Sequence, residues 1–352
     1  MRKFKYILLG LCILLFVSLL CLFLYHPKSS LLSFCWKRKH SETYVKCLAF
    51  SSNNLILASG SEDAIVKIWR VKDGKLINTF KAYMQTINVV IFSPNGQNLV
   101  LGGDDGIINI WSIERKQLVQ SFKLKNRITF LVFSPDGKKM ISGIDNIVKS
   151  WQVMEGGLVK SEQTFSALQS IYCGAISPDG RIIALGGSNN NVELRIVANG
   201  QLWYTLGRHI GSVLSIAFSP NGQLIASGSE YDDIKIWQIK DGKLLHSLKG
   251  HQGFLGLGWT SSLVFSPDGQ FLISGGADGK IRIWQTQNWQ LIEEKQINAT
   301  ILSLSISPSG RFLAIGDNKG FIHLFRLRYR GNQEMGRWSG MFTMPAGTWF
   351  KR

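Results

Sequence analysis

The chain has 352 residues, of which 45% are hydrophobic and 18% charged, so it can bury a large core and is not a mainly disordered protein. Two of its five cysteines fall in an apolar N-terminal stretch and three lie far apart, which excludes a disulfide scaffold and any CxxC zinc or redox site. The formal net charge of +17 favours anionic surroundings, such as a phospholipid surface or nucleic acid, without identifying a partner.

The N-terminus has the pattern of a membrane anchor. Residues 1–5 form a basic N-terminus, and residues 6–25 form a run of twenty residues without a charge. As a helix this run spans about 30 Å, the thickness of a bilayer's hydrocarbon core. A cleaved signal peptide would have an apolar region of about 7–15 residues and a small-x-small cleavage site, and no convincing site follows residue 25. We therefore predict one transmembrane helix, a signal anchor, in preference to a cleaved signal or a buried helix.

The sequence indicates less clearly on which side of the membrane the main domain lies. Three basic residues precede the apolar run and four follow it, so the positive-inside rule gives almost no preference. A short basic N-terminus commonly stays in the cytoplasm, and long domains translocate largely regardless of their charge. The expectation is a single-pass membrane protein with its main domain on the non-cytoplasmic side.

Beyond residue 39 the sequence repeats one unit seven times. A Phe-Ser-Pro motif or a variant recurs, usually with Gly two residues after the Pro. The reference positions, spaced by 42, 41, 43, 42, 47 and 41 residues, are Ser52, Pro94, Pro135, Pro178, Pro220, Pro267 and Pro308. A second mark has the same period, since a strand-like run ends in tryptophan in five repeats, namely at Trp69, Trp111, Trp151, Trp237 and Trp284. Arg195 and Phe325 occupy the corresponding places in repeats four and seven.

Each unit has the pattern of four short antiparallel strands. A Pro-Asp-Gly or Pro-Asn-Gly turn separates the first two, a Gly/Asp turn follows, the third strand ends in the tryptophan, and a short turn leads to the fourth. Four strands cannot bury both faces of one small sheet, so the units must stack. The sequence therefore predicts an all-β, seven-bladed β-propeller of four-stranded antiparallel blades, preceded by the transmembrane helix.

These motifs resemble the WD40 repeat family: the period, the SPDG turn, the Gly-His pair before repeat six and the strand-terminal tryptophan all match over about residues 40–327. In that family a buried tetrad of His, Ser or Thr, Asp and Trp ties a blade together. The resemblance places one such structural tetrad at His251, Ser274, Asp278 and Trp284. A second set is expected at His40, Ser59, Asp63 and Trp69.

Several repeats depart from the tetrad. Repeat five has Tyr231 at the aspartate's place, repeat two has Leu101 at the serine position, and repeat four lacks both Trp and Asp. Two further histidines, His246 and His323, have no place in the pattern. We expect these blades to depend more on packing, with the fold unchanged.

Closing the ring requires an outer strand for repeat seven. Family propellers usually take it from the other end of the chain, which favours residues 31–36, and residues 335–342 are the alternative. The predicted organisation is thus a basic N-terminus at 1–5, an anchor at 6–25, a linker or closing strand at 26–39, the propeller at 40–327, and a basic and aromatic tail at 328–352. The alternative for the tail is that part of it belongs to blade seven.

No catalytic, metal or cofactor site is predicted. The recurring histidines and the turn aspartates are explained by the repeat and by turn chemistry, and the glycine-rich turns precede no helix that could hold a phosphate. There is also no GxSxG, no HExxH and no Cys/His cluster at zinc spacing. An enzyme and a small-molecule substrate are therefore not expected.

One loop departs from the repeat. The stretch from His251 to the following strand is five residues longer than its counterpart in repeat five. It carries Phe254, Leu255, Leu257 and Trp259, on the face that the family uses for partners. Exposed aromatic and aliphatic side chains are typical anchors of interfaces. We predict a partner-binding loop here, with packing over the channel or the neighbouring blade as the alternative.

Function follows from the family resemblance. It implies a membrane-anchored, non-catalytic scaffold that binds protein or peptide partners through a rigid disc. The alternatives are a propeller enzyme or ligand-binding protein that uses the central channel, and a basic nucleic-acid binder, which the domain charge and the tail support only weakly.

Overall fold

Seven antiparallel four-stranded sheets, built from 28 β-strands, make up the part of the chain described by the computed structural model: residues 30–82, 85–154, 159–167, 170–231, 233–251 and 258–328. The first strands of successive sheets contact one another around a closed ring, with the first sheet meeting the last. The predicted all-β, seven-bladed propeller is confirmed. Within these ranges no helix could cross a membrane, and the anchor predicted at residues 6–25 lies outside them.

Blades one to four are built from strands in chain order. Their bounds are β2 (Val45–Phe50), β3 (Ile56–Ser61), β4 (Ile65–Arg70) and β5 (Leu76–Lys81); β6 (Ile87–Phe92), β7 (Asn98–Gly103), β8 (Ile107–Ser112) and β9 (Gln117–Lys123); β10 (Ile128–Phe133), β11 (Lys139–Ile144), β12 (Ile147–Val153) and β13 (Val159–Ser166); β14 (Ile171–Ile176), β15 (Ile182–Gly187), β16 (Val192–Ile196) and β17 (Leu202–Leu206).

Blades five to seven follow the same order, except that the last blade takes its outer strand from the start of the chain. The bounds are β18 (Val213–Phe218), β19 (Leu224–Ser229), β20 (Ile234–Gln238) and β21 (Leu244–Leu248); β22 (Thr260–Phe265), β23 (Phe271–Gly276), β24 (Lys280–Gln285) and β25 (Leu291–Gln296); β26 (Ile301–Ile306), β27 (Phe312–Asp317), β28 (Phe321–Leu327) and β1 (Leu32–Lys39).

The SPDG turns fix the first hairpin of a blade through side-chain caps. In blade six the Ser266 hydroxyl donates to Asp268 Oδ1 at 2.6 Å, and the Phe271 amide donates to Ser266 Oγ at 2.9 Å. Gly269 follows with a φ of 72°, which a residue with a Cβ adopts only at a cost. The recurring four-residue motif thus encodes both the turn and its hydrogen bonds.

Close packing between blades depends on a glycine in the second strand. A Cβ on Gly275 of blade six would lie 2.8 Å from Ile301 Cγ2 in blade seven, and one on Gly102 of blade two would lie 2.6 Å from Ile128 Cγ2 in blade three. In six of the seven blades the first residue of the inner strand therefore packs directly on the preceding blade's backbone, and in blade three Phe130 of the same blade covers Gly143 instead. The hydrophobic core is accordingly made of clusters shared between adjacent blades.

The ring closes with the N-terminal strand. β1 pairs antiparallel with β28, from Leu32 opposite Leu327 to Lys39 opposite Phe321, and His40 N–H then donates to the Gly320 carbonyl at 2.7 Å. Of the two predicted closing strands, the structure shows the N-terminal one, which runs from Leu32 to Lys39 and so extends three residues beyond the predicted 31–36. The alternative at residues 335–342 lies outside the described residues, as does the tail from residue 329 onwards.

Candidate partner-binding face

The propeller has two unlike ends. The end here called the upper face carries the connections between blades and those between second and third strands. The lower face carries the SPDG turns and the short turns between third and fourth strands. Because β1 runs antiparallel to β28, it starts at the lower face and ends at the upper one.

Three large apolar side chains are exposed together on the upper face at blades five and six. Ile210 is 72% exposed, Tyr231 54% and Trp259 37%, and each stands in a different connection. Glu230 N–H donates to the Ser212 carbonyl at 3.0 Å, which holds the Ile210 connection against the Tyr231 connection. Ile210, Tyr231 and Trp259 are called the upper-face cluster below.

The backbone of this cluster is fixed from both sides. Tyr231 N–H donates to the Gly258 carbonyl at 2.9 Å, and Ala277 N–H donates to the Trp259 carbonyl at 3.0 Å. Tyr231 itself has a φ of 60°, a conformation that is costly for a bulky residue and persists only where the surroundings impose it. Tyr231 is thus an exposed aromatic side chain at the place where the repeat expects an aspartate.

The predicted loop is described only at its end. Trp259 lies in the upper-face cluster, whereas Phe254, Leu255 and Leu257 lie outside the described residues. Ile210 was not among the predicted site residues, and Tyr231 was predicted only to replace the tetrad aspartate. For both residues, the signal available in the sequence was an isolated apolar side chain within an otherwise polar connection.

The channel opens on the same face through a polar entrance. A cavity of about 400 Å³ is lined there by residues that include Lys46, Asp104, Arg127 and Tyr172. Asn88 Nδ2 donates to Asp104 Oδ1 at 2.6 Å, and the Arg127 guanidinium lies 5.7 Å from the centre of the Tyr172 ring. The described residues include no group of three potential metal ligands among His, Cys, Asp and Glu.

The structure brings all four residues of the predicted blade-six tetrad together. Trp284 Nε1 donates to Ser274 Oγ at 3.3 Å, which leaves the Ser274 hydroxyl to donate to His251 Nε2 at 2.8 Å. His251 Nδ1 is assigned as the donor to Asp278 Oδ1 at 2.7 Å, and Arg282 Nη1 lies 2.7 Å from the same nitrogen. Arg282, which the sequence analysis missed, binds Asp278 Oδ2 at 2.9 Å and completes the buried group.

Burial governs titration in this group. Burial keeps the pKa of His251 below its ordinary value, although the bond to Asp278 acts in the opposite direction. Burial alone would raise the pKa of Asp278, but the hydrogen bond from His251 and the nearby Arg282 charge hold it below its usual range. The group is therefore a neutral histidine beside an ionised carboxylate paired with arginine.

The blade-one set is connected differently. His40 Nδ1 and Trp69 Nε1 meet at Ser59 Oγ, at 2.7 and 2.8 Å, but the other ring nitrogen of His40 faces Ser61 Oγ at 2.8 Å. Ser61 in turn donates to Asp63, so the carboxylate does not touch the histidine. Burial and the Lys67 charge lower the pKa of His40 to about 4.

The remaining tryptophans keep part of this arrangement. In blade five, Trp237 Nε1 donates to Ser227 Oγ at 2.8 Å, and Ser227 also meets His209 Nε2 at 2.7 Å. In blade three, Trp151 Nε1 donates to Ser142 Oγ at 2.9 Å. In blade two, Trp111 stacks on Phe80 of blade one with ring centres 4.4 Å apart.

The two blades without the tryptophan contain buried polar pairs instead. In blade four Arg195 Nη2 lies 2.8 Å from Glu193 Oε2, and in blade seven His323 Nε2 lies 2.8 Å from Asp317 Oδ2. His323 therefore has a buried place in its blade, which corrects the expectation that it stands outside the pattern. No sequence signal beyond the missing tryptophan pointed to these pairs.

Comparison with known families agrees with this architecture. The WD40 repeat (WD domain, G-beta repeat) matches residues 26–70, 74–112, 116–152 and 242–285, and the anaphase-promoting complex subunit 4 WD40 domain matches residues 176–262. A comparison with curated proteins found no match. Propellers of this kind are commonly protein-interaction scaffolds and are generally non-catalytic. The chain is thus built of WD40 repeats that form a seven-bladed β-propeller.

Proposed function

We propose that this protein is a membrane-anchored, non-catalytic platform that binds a protein or peptide partner through the upper face of its propeller. The observation that carries the proposal is the upper-face cluster, in which Ile210, Tyr231 and Trp259 project from three connections on one fixed backbone. Tyrosine and tryptophan are enriched among the residues that dominate binding energy at protein interfaces.

Rigidity is what makes this surface effective for binding. Ordering loops and side chains on binding makes the binding free energy less favourable, by about 0.5–1.5 kcal/mol for each immobilised rotamer-rich side chain. The backbone hydrogen bonds at Tyr231 and Trp259 order this surface before a partner arrives. A large part of the contact area can therefore contribute to affinity.

The closing strand supports the membrane part of the proposal. β1 begins at Leu32 on the lower face, and the uncharged run at residues 6–25 ends shortly before it. A helix over that run would tether the propeller by its lower face and leave the upper-face cluster pointing away from the bilayer. We place the propeller on the non-cytoplasmic side, on the basis of the short basic N-terminus.

Membrane sidedness is tested with C-terminal fusions to two reporters, one active only outside the cytoplasm and one active only inside it. The proposal expects the first to be active and the chain to fractionate with membranes. Activity of the second alone would reverse the sidedness, and recovery of the full-length chain in the soluble fraction would refute the anchor.

The interface is tested with a double variant, Tyr231→Asn with Trp259→Ser. Asparagine tolerates the positive φ at residue 231, so the fold should remain intact. We expect loss of the partners that co-purify with the native chain, at an unchanged melting temperature. The matched control is Leu55→Ser, which removes an apolar side chain that is 64% exposed from the lower face. Unchanged capture by the double variant would refute the interface, and a collapsed melting temperature would show that these residues are core.

A further inference from the structure

A single position recurs in the outer strand of each blade, and in six of the seven blades it lies at the junction with the next blade. The third strand of a blade carries the repeat tryptophan or the residue that replaces it. The residue of the outer strand that pairs with the position just before that tryptophan is called the rim position here. Its occupants, from blade seven through blade six, are Trp36, Asn78, Gln120, Gln163, Tyr204, His246 and Glu293.

Aromatic side chains at the rim position close the gap to the following blade. Trp36 Nε1 donates to the Val71 carbonyl of blade one at 2.9 Å, and its ring lies against Gly74, where an added Cβ would come within 2.7 Å of it. Tyr204 repeats this contact, since its ring lies against Gly242 of blade five and its hydroxyl donates to the Asp241 carbonyl at 3.1 Å.

Three other rim residues contact the next blade through hydrogen bonds or ring packing. Gln120 makes two hydrogen bonds of 2.9 Å with the backbone of Val159 in blade three. His246 packs on Trp289 of blade six with ring centres 5.7 Å apart, and Glu293 accepts from the Leu31 amide at 2.5 Å beside blade seven. At the junction after Gln163, the ring of Phe165 covers a glycine of blade four.

At the junction between blades one and two the rim residue itself makes no such bridge, and the contact between the blades there is the stack of Phe80 on Trp111. Asn78 Oδ1 accepts from the Thr79 amide of its own strand at 2.9 Å, and within the described residues Asn78 makes no hydrogen bond to blade two. A cavity of about 170 Å³ lies at this place. It opens at the rim near the lower face, at the opposite end of the propeller from the upper-face cluster.

The cavity has the lining and the size for one aromatic ring. Apolar side chains form most of its wall, among them Ile56, Ile68, Phe80, Leu99, Trp111 and Ile113. An apolar cavity of about 150 Å³ in another protein stays dry and binds benzene, which sets the scale. Asn78, Ser112 and Lys116 supply the polar rim. In the described part of the chain the Lys116 ammonium has no ion-pair partner, so a carboxylate beside the ring would meet a free cation.

We propose that this rim pocket binds an aromatic side chain, flanked by a carboxylate, from a protein partner. The ring would lie among the apolar side chains that line the cavity, and the carboxylate would lie beside Lys116. This second interface is independent of the one proposed on the upper face.

The test uses variants that fill or empty the rim position. The probe is N-acetyl-5-fluorotryptophyl-aspartyl amide, with alanyl-aspartyl amide as competitor, followed by ¹⁹F NMR on the full chain. Asn78→Trp fills the pocket with a ring that belongs to the chain itself. It should weaken probe binding at least about tenfold, the loss of roughly 1.4 kcal/mol. Asn78→Ala leaves the pocket open and should retain the probe. Lys116→Glu should weaken it by about twofold to fivefold, the range of an exposed ion pair.

Stability gives a second readout. Asn78→Trp should raise the melting temperature, because it fills a void with a ring, and Asn78→Phe is the smaller alternative. Destabilisation by both would show that the cavity does not accept a ring and would overturn the proposal. Equal probe binding by the native chain and Asn78→Trp would overturn it as well. So would probe binding that appears only after removal of residues 329–352, because the tail would then be the occupant.

Discussion

Replacing Asp278 with alanine tests the account of the blade-six tetrad most sharply. The carboxylate accepts hydrogen bonds from His251 Nδ1 at 2.7 Å and from the Lys280 amide at 3.0 Å, and it pairs with Arg282 at 2.9 Å. All three contacts disappear in Asp278→Ala. The buried imidazole loses its acceptor, while Arg282 keeps one carboxylate partner, Glu294 Oε2 at 2.9 Å.

The expected loss follows from these contacts. Breaking a buried ion pair by removing one partner costs about 3–5 kcal/mol, and leaving a buried donor unsatisfied costs about 1–3 kcal/mol. Because Arg282 retains Glu294, the ion-pair cost is reduced, and we expect a loss of about 2–3 kcal/mol in the free energy of unfolding. Urea denaturation, followed by tryptophan fluorescence, measures it as a lower transition midpoint.

Asp63→Ala in blade one is the matched control. Asp63 occupies the equivalent place but reaches His40 only through Ser61, so its removal should destabilise clearly less than Asp278→Ala. Equal losses at the two sites, or a loss below a few tenths of a kcal/mol at Asp278, would refute the reasoning.

Three further predictions concern the framework. Gly275→Ala should lower the free energy of unfolding by about 1–3 kcal/mol through the clash with Ile301, as measured by urea denaturation. Because burial lowers the pKa of His40 from 6.5 to about 4 on folding, the unfolded chain binds more protons between these pH values. The stability that His40 contributes should be constant above pH 6.5 and fall by up to about 1.4 kcal/mol per pH unit towards pH 4, so His40→Gln should make the measured slope shallower. Arg195→Met should lower the melting temperature more than Glu193→Gln, since it leaves a carboxylate buried without its cation, and the reverse order would contradict the ion-pair assignment.

The repeat made the fold predictable from sequence. Turn residues such as Pro267 and Gly269 have fixed conformational reasons, and seven copies of the pattern leave one way of stacking four-stranded units. The N-terminal closing strand was predictable only as a preference, because many apolar segments can complete a sheet edge.

The hydrogen-bond networks of the tetrads were harder to predict than the fold, because a single neighbouring residue determines which tetrad side chains contact each other. In blade six the residue two before Asp278 is Gly276, which has no side chain, so His251 reaches the carboxylate directly. In blade one the same place holds Ser61, whose hydroxyl stands between His40 and Asp63. The pattern matched equally in both blades, and only the difference between glycine and serine marked the different connection.

The buried pair in blade seven shows a further reason. Asp317 and His323 are six residues apart in sequence and meet across a hairpin, at two places that hold other residues in every other repeat. A substitution that occurs once in seven repeats carries no periodic signal. The upper-face cluster was similarly hidden, because Ile210 and Tyr231 belong to different connections that only the folded ring brings together.

The most direct test of the proposed interface is photo-crosslinking in native membranes. Benzoylphenylalanine replaces Tyr231 in one variant and Leu55, on the opposite face, in a second. The account predicts a discrete cross-linked protein adduct from position 231 that is absent from position 55 and is lost when Trp259→Ser is added. No adduct from position 231, or the same adduct from both positions, would contradict the upper face as the partner-binding surface.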